Sequence, residues 1–138
     1  MNHNVKNFTG RCLCGSITFS FAEKPLTCGH CHCESCRKWQ CSAFATWASF
    51  QKQSFKLSGK PKSFESSKGN YRQFCGSCGS PLFMECSEDP DIVYVTLGSL
   101  EQNPDLRPTR HVSFEERVQW DPTGDSLPKY EGKNTLLT

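Results

Sequence analysis

Apolar and polar residues alternate with a period of two along much of this chain, which predicts short β-strands with one buried face. Every second residue of 16–21 (SITFSF) is apolar, and residues 91–98 (DIVYVTLG) form the best strand candidate. Helical turns are predicted only around residues 34–39 and 98–102. Further strands are predicted at residues 43–50, 54–57, 63–65 and 71–74, with weaker candidates at 110–114 and 117–120.

Turn-forming residues separate these runs at positions 59–61, 68–70, 88–90 and 103–104. Short strands at this spacing predict a mainly β fold in which most strands pair antiparallel. The 138 residues contain no repeat or linker that would divide them, so a single domain is expected over residues 1–138. Its core is expected at about residues 10–130, and residues 126–138 are expected to form a peripheral tail that frays at its end.

Ten cysteines are a large excess for this length, and they indicate either disulfides or metal binding. The first ten residues (MNHNVKNFTG) contain no apolar run typical of a signal peptide, and no later stretch approaches the roughly 18 apolar residues of a membrane span. A cytoplasmic protein without a membrane partner is therefore expected. Because thiols stay reduced in the cytoplasm, clustered cysteines are interpreted as metal ligands rather than as disulfides.

The formal net charge of +2 treats every cysteine as neutral. If seven cysteines bound two Zn²⁺ ions as thiolates, the sum would be +2 − 7 + 4 = −1. The mild basicity therefore gives no support for a nucleic-acid partner.

Two cysteine pairs that are distant in sequence predict a closed structural metal site. Cys12 and Cys14 form a C-x-C motif, whose thiols would share one face of an extended chain. Cys75 and Cys78 form a C-x-x-C motif with glycine inside and after it, which is typical of a zinc-knuckle turn. Together they predict a Cys₄ site that contributes to folding. The alternative, a thioredoxin-like redox pair, would require a βαβ context that the sequence lacks.

The densest ligand cluster lies between Cys28 and Cys36. Cys31, Cys33 and Cys36 can supply three thiolates and leave a fourth position for water or substrate, as in a catalytic zinc site. Spacing alone leaves open a closed Cys₄ site completed by Cys28. His30 and His32 are possible ligands, although neutral histidines bonded to the backbone are the preferred interpretation. Cys41 and Cys86 lack paired spacing and are expected to be small buried residues.

Several motifs resemble the glutathione-dependent formaldehyde-activating enzyme family, which also contains centromere protein V-like proteins. They occur in order as GRCLCGSITF, CHCESCRKW, FCGSCGSPL, LGSL, His111 and the late Trp120 and Leu127-Pro128. The resemblance implies a β-tent fold of short antiparallel sheets stapled by two zinc ions. It assigns a structural zinc to Cys12, Cys14, Cys75 and Cys78, and a substrate-accessible zinc to Cys31, Cys33 and Cys36. Cys41 departs from the family, because relatives often have glycine there.

This resemblance also implies a carbon–sulfur lyase that acts on a thiol–aldehyde adduct, with glutathione and formaldehyde as the suggested pair. Arg37 and Lys38 are candidates to offset thiolate charge or to meet glutathione carboxylates, and a solvated surface pair is equally compatible with the sequence. Arg11 and Arg72 are expected beside the structural cysteines. His111 is a candidate for proton transfer, with a backbone-bonded strand histidine as its alternative. A non-enzymatic zinc module that binds a partner is the second functional hypothesis.

Overall fold

The structure is a computed structural model that describes residues 7–101 and 106–132. Within these residues the chain forms ten short strands, one α-helix and three 3-10 turns. The helix, α1, spans Glu34–Gln40, and the 3-10 turns span Lys52–Ser54, Leu97–Ser99 and Phe114–Glu116. The strands are β1 Phe8–Arg11, β2 Thr18–Phe21, β3 Thr27–Cys31, β4 Ala45–Gln51, β5 Phe55–Ser58, β6 Lys62–Ser67, β7 Asn70–Phe74, β8 Pro81–Cys86, β9 Ile92–Thr96 and β10 His111–Val112.

Two sheets contain these strands. The smaller sheet has the order β1-β2-β5, and the larger has the order β10-β3-β4-β9-β8-β7-β6. Every strand pair is antiparallel except β10 with β3, which is parallel. Phenylalanines join the sheets: Phe21 of β2 stacks on Phe50 of β4 with their ring centroids 4.0 Å apart. Burial of such rings is the main stabilising contribution of this core.

The two faces of the larger sheet have different roles because successive side chains of a strand point to opposite faces. Cys28, Ala48, Val95 and Phe83 are paired across β3, β4, β9 and β8 and belong to the core between the sheets. The opposite face carries a second apolar cluster that is built around the buried residues Cys31, Cys36, Ala45, Trp47, Tyr94 and Val112. The candidate active site lies on this second face.

The prediction of a mainly β, mainly antiparallel protein is confirmed. The predicted strands at 16–21, 43–50, 54–57, 63–65, 71–74, 91–98 and 110–114 all overlap observed strands. The strand predicted at 117–120 is wrong, because these residues form irregular backbone and bends. The helical turn predicted at 98–102 is a 3-10 turn at Leu97–Ser99, and residue 102 lies outside the described residues. The β-tent arrangement itself stays a prediction.

The segment after the last strand is attached to the larger sheet. His111 donates its backbone N–H to Pro128 O at 2.8 Å, and Tyr130 donates its own to His111 O at 2.8 Å. Ser113 donates in the same way to Gly132 O at 2.8 Å. The part of the expected tail up to Gly132 therefore pairs with β10, whereas residues 133–138 lie outside the described residues. The extent of the domain stays a prediction.

Among the residues that the structure describes, none belongs to a helix long and apolar enough to cross a membrane.

Candidate metal centres and active site

The first cysteine group brings together the two pairs that the sequence analysis joined. One Sγ atom from each of Cys12, Cys14, Cys75 and Cys78 lies within 4.8 Å of the others. The Sγ atoms of Cys12 and Cys14 are 3.7 Å apart, and those of Cys14 and Cys75 are 3.8 Å apart. Tetrahedral zinc with Zn–S bonds of about 2.3 Å has sulfur–sulfur edges of about 3.8 Å. The donor set and its dimensions therefore fit a zinc ion.

Two tight turns present these four thiols. The Cys12–Cys14 segment is a turn closed by a hydrogen bond from Gly15 N to Cys12 O at 3.1 Å, so the expectation of an extended segment is wrong although the thiols do converge. The knuckle turn at Cys75 and Cys78 is closed by Gly79, which donates its N–H to Cys75 O at 2.8 Å. Gly79 has φ of 78°, a conformation that favours glycine.

Serine hydroxyls border this group, and the sequence analysis did not identify them. The Ser16 hydroxyl lies 3.1 Å from Cys14 Sγ and 3.3 Å from Cys75 Sγ, and the Ser80 hydroxyl lies 3.2 Å from Cys78 Sγ. Hydrogen bonding from Ser16 lowers the pKa of Cys75 to about 7, and hydrogen bonding from Ser80 lowers the pKa of Cys78 to about 5. Both serines therefore favour the thiolate form that metal binding requires.

The second group consists of Cys31, Cys33 and Cys36, whose sulfur atoms lie within 4.8 Å of one another. Cys31 ends β3, and Cys33 is the N-cap residue of α1. The Cys33 thiol accepts a hydrogen bond from Cys36 N at 3.4 Å, in the way that a capping side chain accepts from the first helical turn. The end of a strand and the start of a helix thus gather three thiols from six consecutive residues.

Cys28 does not join this group. It lies three positions before Cys31 in β3, and an odd separation in a strand places two side chains on opposite faces. Its side chain belongs to the core between the sheets, and burial raises the pKa of its thiol to about 11. The two nearby histidines have other partners: His30 Nδ1 lies 2.8 Å from Thr46 Oγ1, and His32 Nε2 lies 2.8 Å from His111 Nδ1. The second group is therefore a set of three thiols.

Arg72 is a charged residue of this second group. It was expected beside the structural cysteines, but β7 places it on the face of the sheet that carries Cys31, so that expectation is wrong. Its Nη1 and Nη2 atoms each lie 3.7 Å from Cys36 Sγ, and the residue is 4% exposed. Hydrogen bonds from Cys31 and Cys33 and the charge of Arg72 hold the pKa of Cys36 well below its usual range. Arg72 is thus the cation that stabilises thiolate charge here.

A cavity of about 510 Å³ opens over the three thiols. Trp47 and Tyr94 form part of its wall, and both are buried. The indole Nε1 of Trp47 has no hydrogen-bond partner among the described residues. A buried donor without a partner costs free energy, and this nitrogen is closed to solvent, so a bound molecule would reach it only after a movement of the surrounding side chains. Glu88, Asp89, Glu115 and Glu116 supply carboxylates around the same cavity.

The remaining candidates lie elsewhere. Arg37 donates its Nε to His32 O at 3.0 Å, which supports the loop that carries the thiols. Lys38 lines a neighbouring cavity that also includes Cys33 and Arg72. Cys41 is exposed, so its predicted burial is wrong, and Cys86 is only partly buried and lines the 510 Å³ cavity.

His111 is not among the residues that line this cavity. It is fully buried, and its two ring nitrogens face His32 Nε2 at 2.8 Å and Asp125 Oδ2 at 2.9 Å. Neither group is a thiol or a wall of the cavity, so the geometry does not favour proton transfer from His111 to a substrate there. Asp125 was not identified in the sequence analysis, because nothing in its local sequence distinguishes it from other surface aspartates.

Fold and site together define a cysteine-rich β-sheet protein with one four-thiol and one three-thiol group that can bind metal. Comparison with known families places it further: the chain belongs to the glutathione-dependent formaldehyde-activating enzyme family, whose sequence profile matches residues 7–116.

Similarity to individual proteins agrees with this family membership. A Schizosaccharomyces pombe protein named as an uncharacterized lyase is 37% identical over 81 residues, which are 57% of this chain and 58% of that protein. The match thus spans little more than half the length of this relative. A Rhodobacter sphaeroides protein of known crystal structure matches with a TM-score of 0.58 and 20% identity, covering 70% of this chain and 91% of its own. At that identity the likeness shows the fold alone.

Proposed function

We propose that this protein is a zinc-dependent carbon–sulfur lyase that forms or cleaves a thiol–aldehyde adduct. The specific candidate is S-hydroxymethylglutathione, formed from glutathione and formaldehyde in the cytoplasm. One observation carries the proposal: three thiols, with no fourth protein ligand among the described residues, lie beneath a cavity large enough for a small thiol. Family membership and the lyase name of the S. pombe relative support it.

Two zinc ions are proposed. Cys12, Cys14, Cys75 and Cys78 would hold a structural ion, and Cys31, Cys33 and Cys36 would hold a catalytic one. When bound, the catalytic ion would supply the positive charge that lowers the pKa of a thiol in its fourth position.

Arg72 completes the charge balance of the proposed catalytic centre. Three thiolates and one divalent ion sum to −3 + 2 = −1, and the Arg72 guanidinium beside Cys36 brings the sum to zero. Removing one net negative charge beside the sulfur atoms favours binding of an anionic thiolate, because like charges repel strongly in a partly buried site. Arg72 thus favours substrate binding as well as ionisation of Cys36.

The proposed reaction needs no oxidant or reductant. The sulfur of the substrate attacks the carbonyl carbon, a carbon–sulfur bond forms, and the carbonyl π electrons move onto the oxygen. That oxygen then takes a proton, so that one proton has moved overall from sulfur to oxygen. We assign the Nε1–H of Trp47, whose side chain lines the cavity, as the donor to the developing charge on this oxygen, and this role requires the buried nitrogen to become accessible when substrate binds. Cleavage of the adduct follows the same steps in reverse.

Exchange spectroscopy tests the proposal, because it measures catalysis of a reaction that also proceeds without an enzyme. Zinc-loaded protein should accelerate the exchange of ¹³C-formaldehyde with its glutathione adduct above a buffer blank. Cys33→Ser should abolish the acceleration, and Cys41→Ser, which changes an exposed thiol outside the site, should retain it. No acceleration by folded, zinc-loaded wild type would remove the named reaction and favour the non-enzymatic zinc module.

Trp47 and Trp39 offer a matched pair for testing the donor. Their rings stack in parallel with centroids 6.0 Å apart, but only Trp47 lines the 510 Å³ cavity. Trp47→Phe should lower the rate of exchange at saturating thiol by about tenfold or more, since it removes a donor to the developing charge. Trp39→Phe should leave that rate within about twofold of wild type. Equal effects of the two substitutions would exclude a specific role for the Trp47 donor.

A further inference from the structure

A cluster without cysteines lies on β3 and β10, where His30 is on the same face of β3 as Cys28 and His111 is its neighbour in β10. One ring nitrogen of His30, one of His111 and a carboxylate oxygen of Asp125 lie within 4.8 Å of one another. Asp125 Oδ2 is 2.9 Å from His111 Nε2, and the ring centroids of His30 and His111 are 4.7 Å apart with an interplanar angle of 32°. Two adjacent imidazoles beside a carboxylate form a ligand set that is typical of divalent transition metals.

We propose that His30, His111 and Asp125 form a further site for a divalent transition-metal ion, separate from both cysteine groups. Two imidazole nitrogens and one carboxylate oxygen would bind the ion, and water would complete its coordination. This inference does not depend on the proposed lyase activity.

The strongest support is that each ligand already has a partner that orients it. Thr46 Oγ1 holds His30 at Nδ1, which leaves Nε2 for an ion. His32 Nε2 holds His111 at Nδ1, so Nε2, which faces Asp125 Oδ2 at 2.9 Å, is the nitrogen that would bind an ion together with that carboxylate. Metal-binding histidines almost always have their other ring nitrogen hydrogen-bonded in this way, since the bond fixes the tautomer and the direction of the ring.

Asp125 is supported on its other oxygen. Oδ1 accepts hydrogen bonds from Leu127 N at 3.1 Å and from Lys129 Nζ at 3.3 Å, whereas Oδ2 is the closer oxygen to His111. Hydrogen bonds, foremost the one from His111, lower the pKa of Asp125 to about 2, so the carboxylate is ionised at neutral pH. Its side chain is 43% exposed, which provides a path for an ion from solvent.

Such an ion would join three separate parts of the chain: β3, β10 and the segment around Asp125. His111 Nε2 and Asp125 Oδ2 also lie within hydrogen-bond distance of each other at 2.9 Å. A bound ion would therefore strengthen the attachment of the C-terminal segment to β10.

The inference is tested by measuring the metal stoichiometry of protein that already holds Zn²⁺ in both cysteine groups. Equilibrium dialysis against micromolar Zn²⁺ should show one more bound equivalent in wild type than in Asp125→Asn, which keeps the size of the side chain but removes its charge. Asp121→Asn, a matched change on the same segment but outside the cluster, should bind as wild type does. Thr46→Val should weaken the extra binding by about 10- to 100-fold, because it removes the support of His30.

Two measurements locate the ion and guard against an unfolded variant. Titration of the same zinc-filled protein with Co²⁺ should produce visible absorption without thiolate-to-cobalt charge transfer, and ¹⁵N signals of the His30 and His111 rings should shift as Zn²⁺ is added. His30→Gln, whose backbone lies within β3, should also lose the extra ion if Asp125→Asn does not fold. The inference is overturned if wild type binds no extra equivalent, or if both ligand variants bind it with unchanged affinity.

Discussion

Arg72 is the single residue whose position most changes the chemistry expected of the second cysteine group. Its guanidinium donates to Cys36 from a site that is only 4% exposed, so it favours the thiolate over the thiol. Hydrogen bonds to charged groups contribute about 1.5–3 kcal/mol. The positive charge of Arg72 beside Cys36 should therefore strengthen binding of the proposed zinc ion at the three-thiol group.

We expect Arg72→Gln to weaken zinc binding at this group by about tenfold or more at pH 7, because protons then compete better for Cys36. The low pKa of Cys36 keeps its thiol ionised, and zinc binding is lost when the pH falls far enough to protonate it. Without Arg72 the pKa of Cys36 should rise, so zinc should be lost at a higher pH than in wild type. Competition with a chromophoric chelator between pH 6 and 8 measures both effects. Arg11→Gln, which removes an exposed side chain beside the other group, is the control, and an equal effect there would contradict the assignment.

Cys41 is strained by its backbone. It ends α1 with φ of 50° and ψ of 50°, the left-handed conformation that glycine adopts most readily. This explains why a family relative would often have glycine at this position. Cys41→Gly should raise the free energy of unfolding by about 1 kcal/mol, as measured by urea denaturation of the zinc-loaded protein. Cys41→Ala retains the strain and should not show this gain.

The sequence alone was sufficient to predict the two cysteine groups, but not the residues that surround them. Cys31, Cys33 and Cys36 were found from spacing, whereas the choice between an open group and one closed by Cys28 required the alternation of β3. Arg72 was misplaced because it is close to Cys75 in sequence, whereas β7 pairs it with Met84 on the face of the sheet that carries the three-thiol group. Ser16, Ser80 and Asp125 could not be found, because their role depends on contacts between distant segments.

At the scale of elements, the four-thiol group joins the turn after β1 to the turn between β7 and β8. Cys12 and Cys75 are both 1% exposed and belong to the core between the sheets. A metal bound there would connect the smaller sheet to the larger. The three-thiol group connects only the end of β3 to α1, and these are adjacent in sequence.

This difference predicts unequal losses of stability. Cys75→Ala should lower the free energy of unfolding by several kcal/mol, because it would remove a ligand from the proposed structural ion, which would hold the two sheets together. Cys33→Ala should spare most of the fold while abolishing the exchange activity. Urea denaturation followed by circular dichroism compares them, with Cys41→Ala as a control at an exposed thiol. Equal destabilisation by Cys75→Ala and Cys33→Ala would contradict this division.

Some elements could not be recognised from their own sequence. β3 (TCGHC) carries cysteine, glycine and histidine instead of β-branched residues, and both of its faces are covered, so alternation is absent. β8 contains a proline and pairs through an irregular register with β7. At residues 117–120 a strand was predicted that the structure does not contain. Residues that favour strands form one only where a neighbouring strand is available for pairing.

For the molecule as a whole, the two proposed zinc ions should be released separately. A site with three protein ligands holds its ion more weakly than a site with four, and its ion contributes less to the fold. Titration with a chelator should first remove one class of zinc with little change in circular dichroism, and then a second class together with unfolding. A zinc-sensitive dye and circular dichroism recorded on the same samples measure both events. Simultaneous release of all zinc with unfolding would contradict the expectation.

The overall architecture was predictable only in its class. Short alternating segments and turn residues were sufficient to predict a mainly antiparallel β protein, because each of those signals is local. The order of seven strands in one sheet, and the parallel pairing of β10 with β3, arise from contacts between segments far apart in sequence. Local patterns carry no information about such neighbours.

The spacing of the ligands also sets an order of events during synthesis of the chain. Cys31, Cys33 and Cys36 leave the ribosome almost together, whereas Cys14 must wait for Cys75, 61 residues later. Closing the longer loop costs about 2 kcal/mol more than closing a five-residue one. A nascent chain should therefore acquire zinc first at the group that we propose as catalytic, and only later at the group that holds the sheets together.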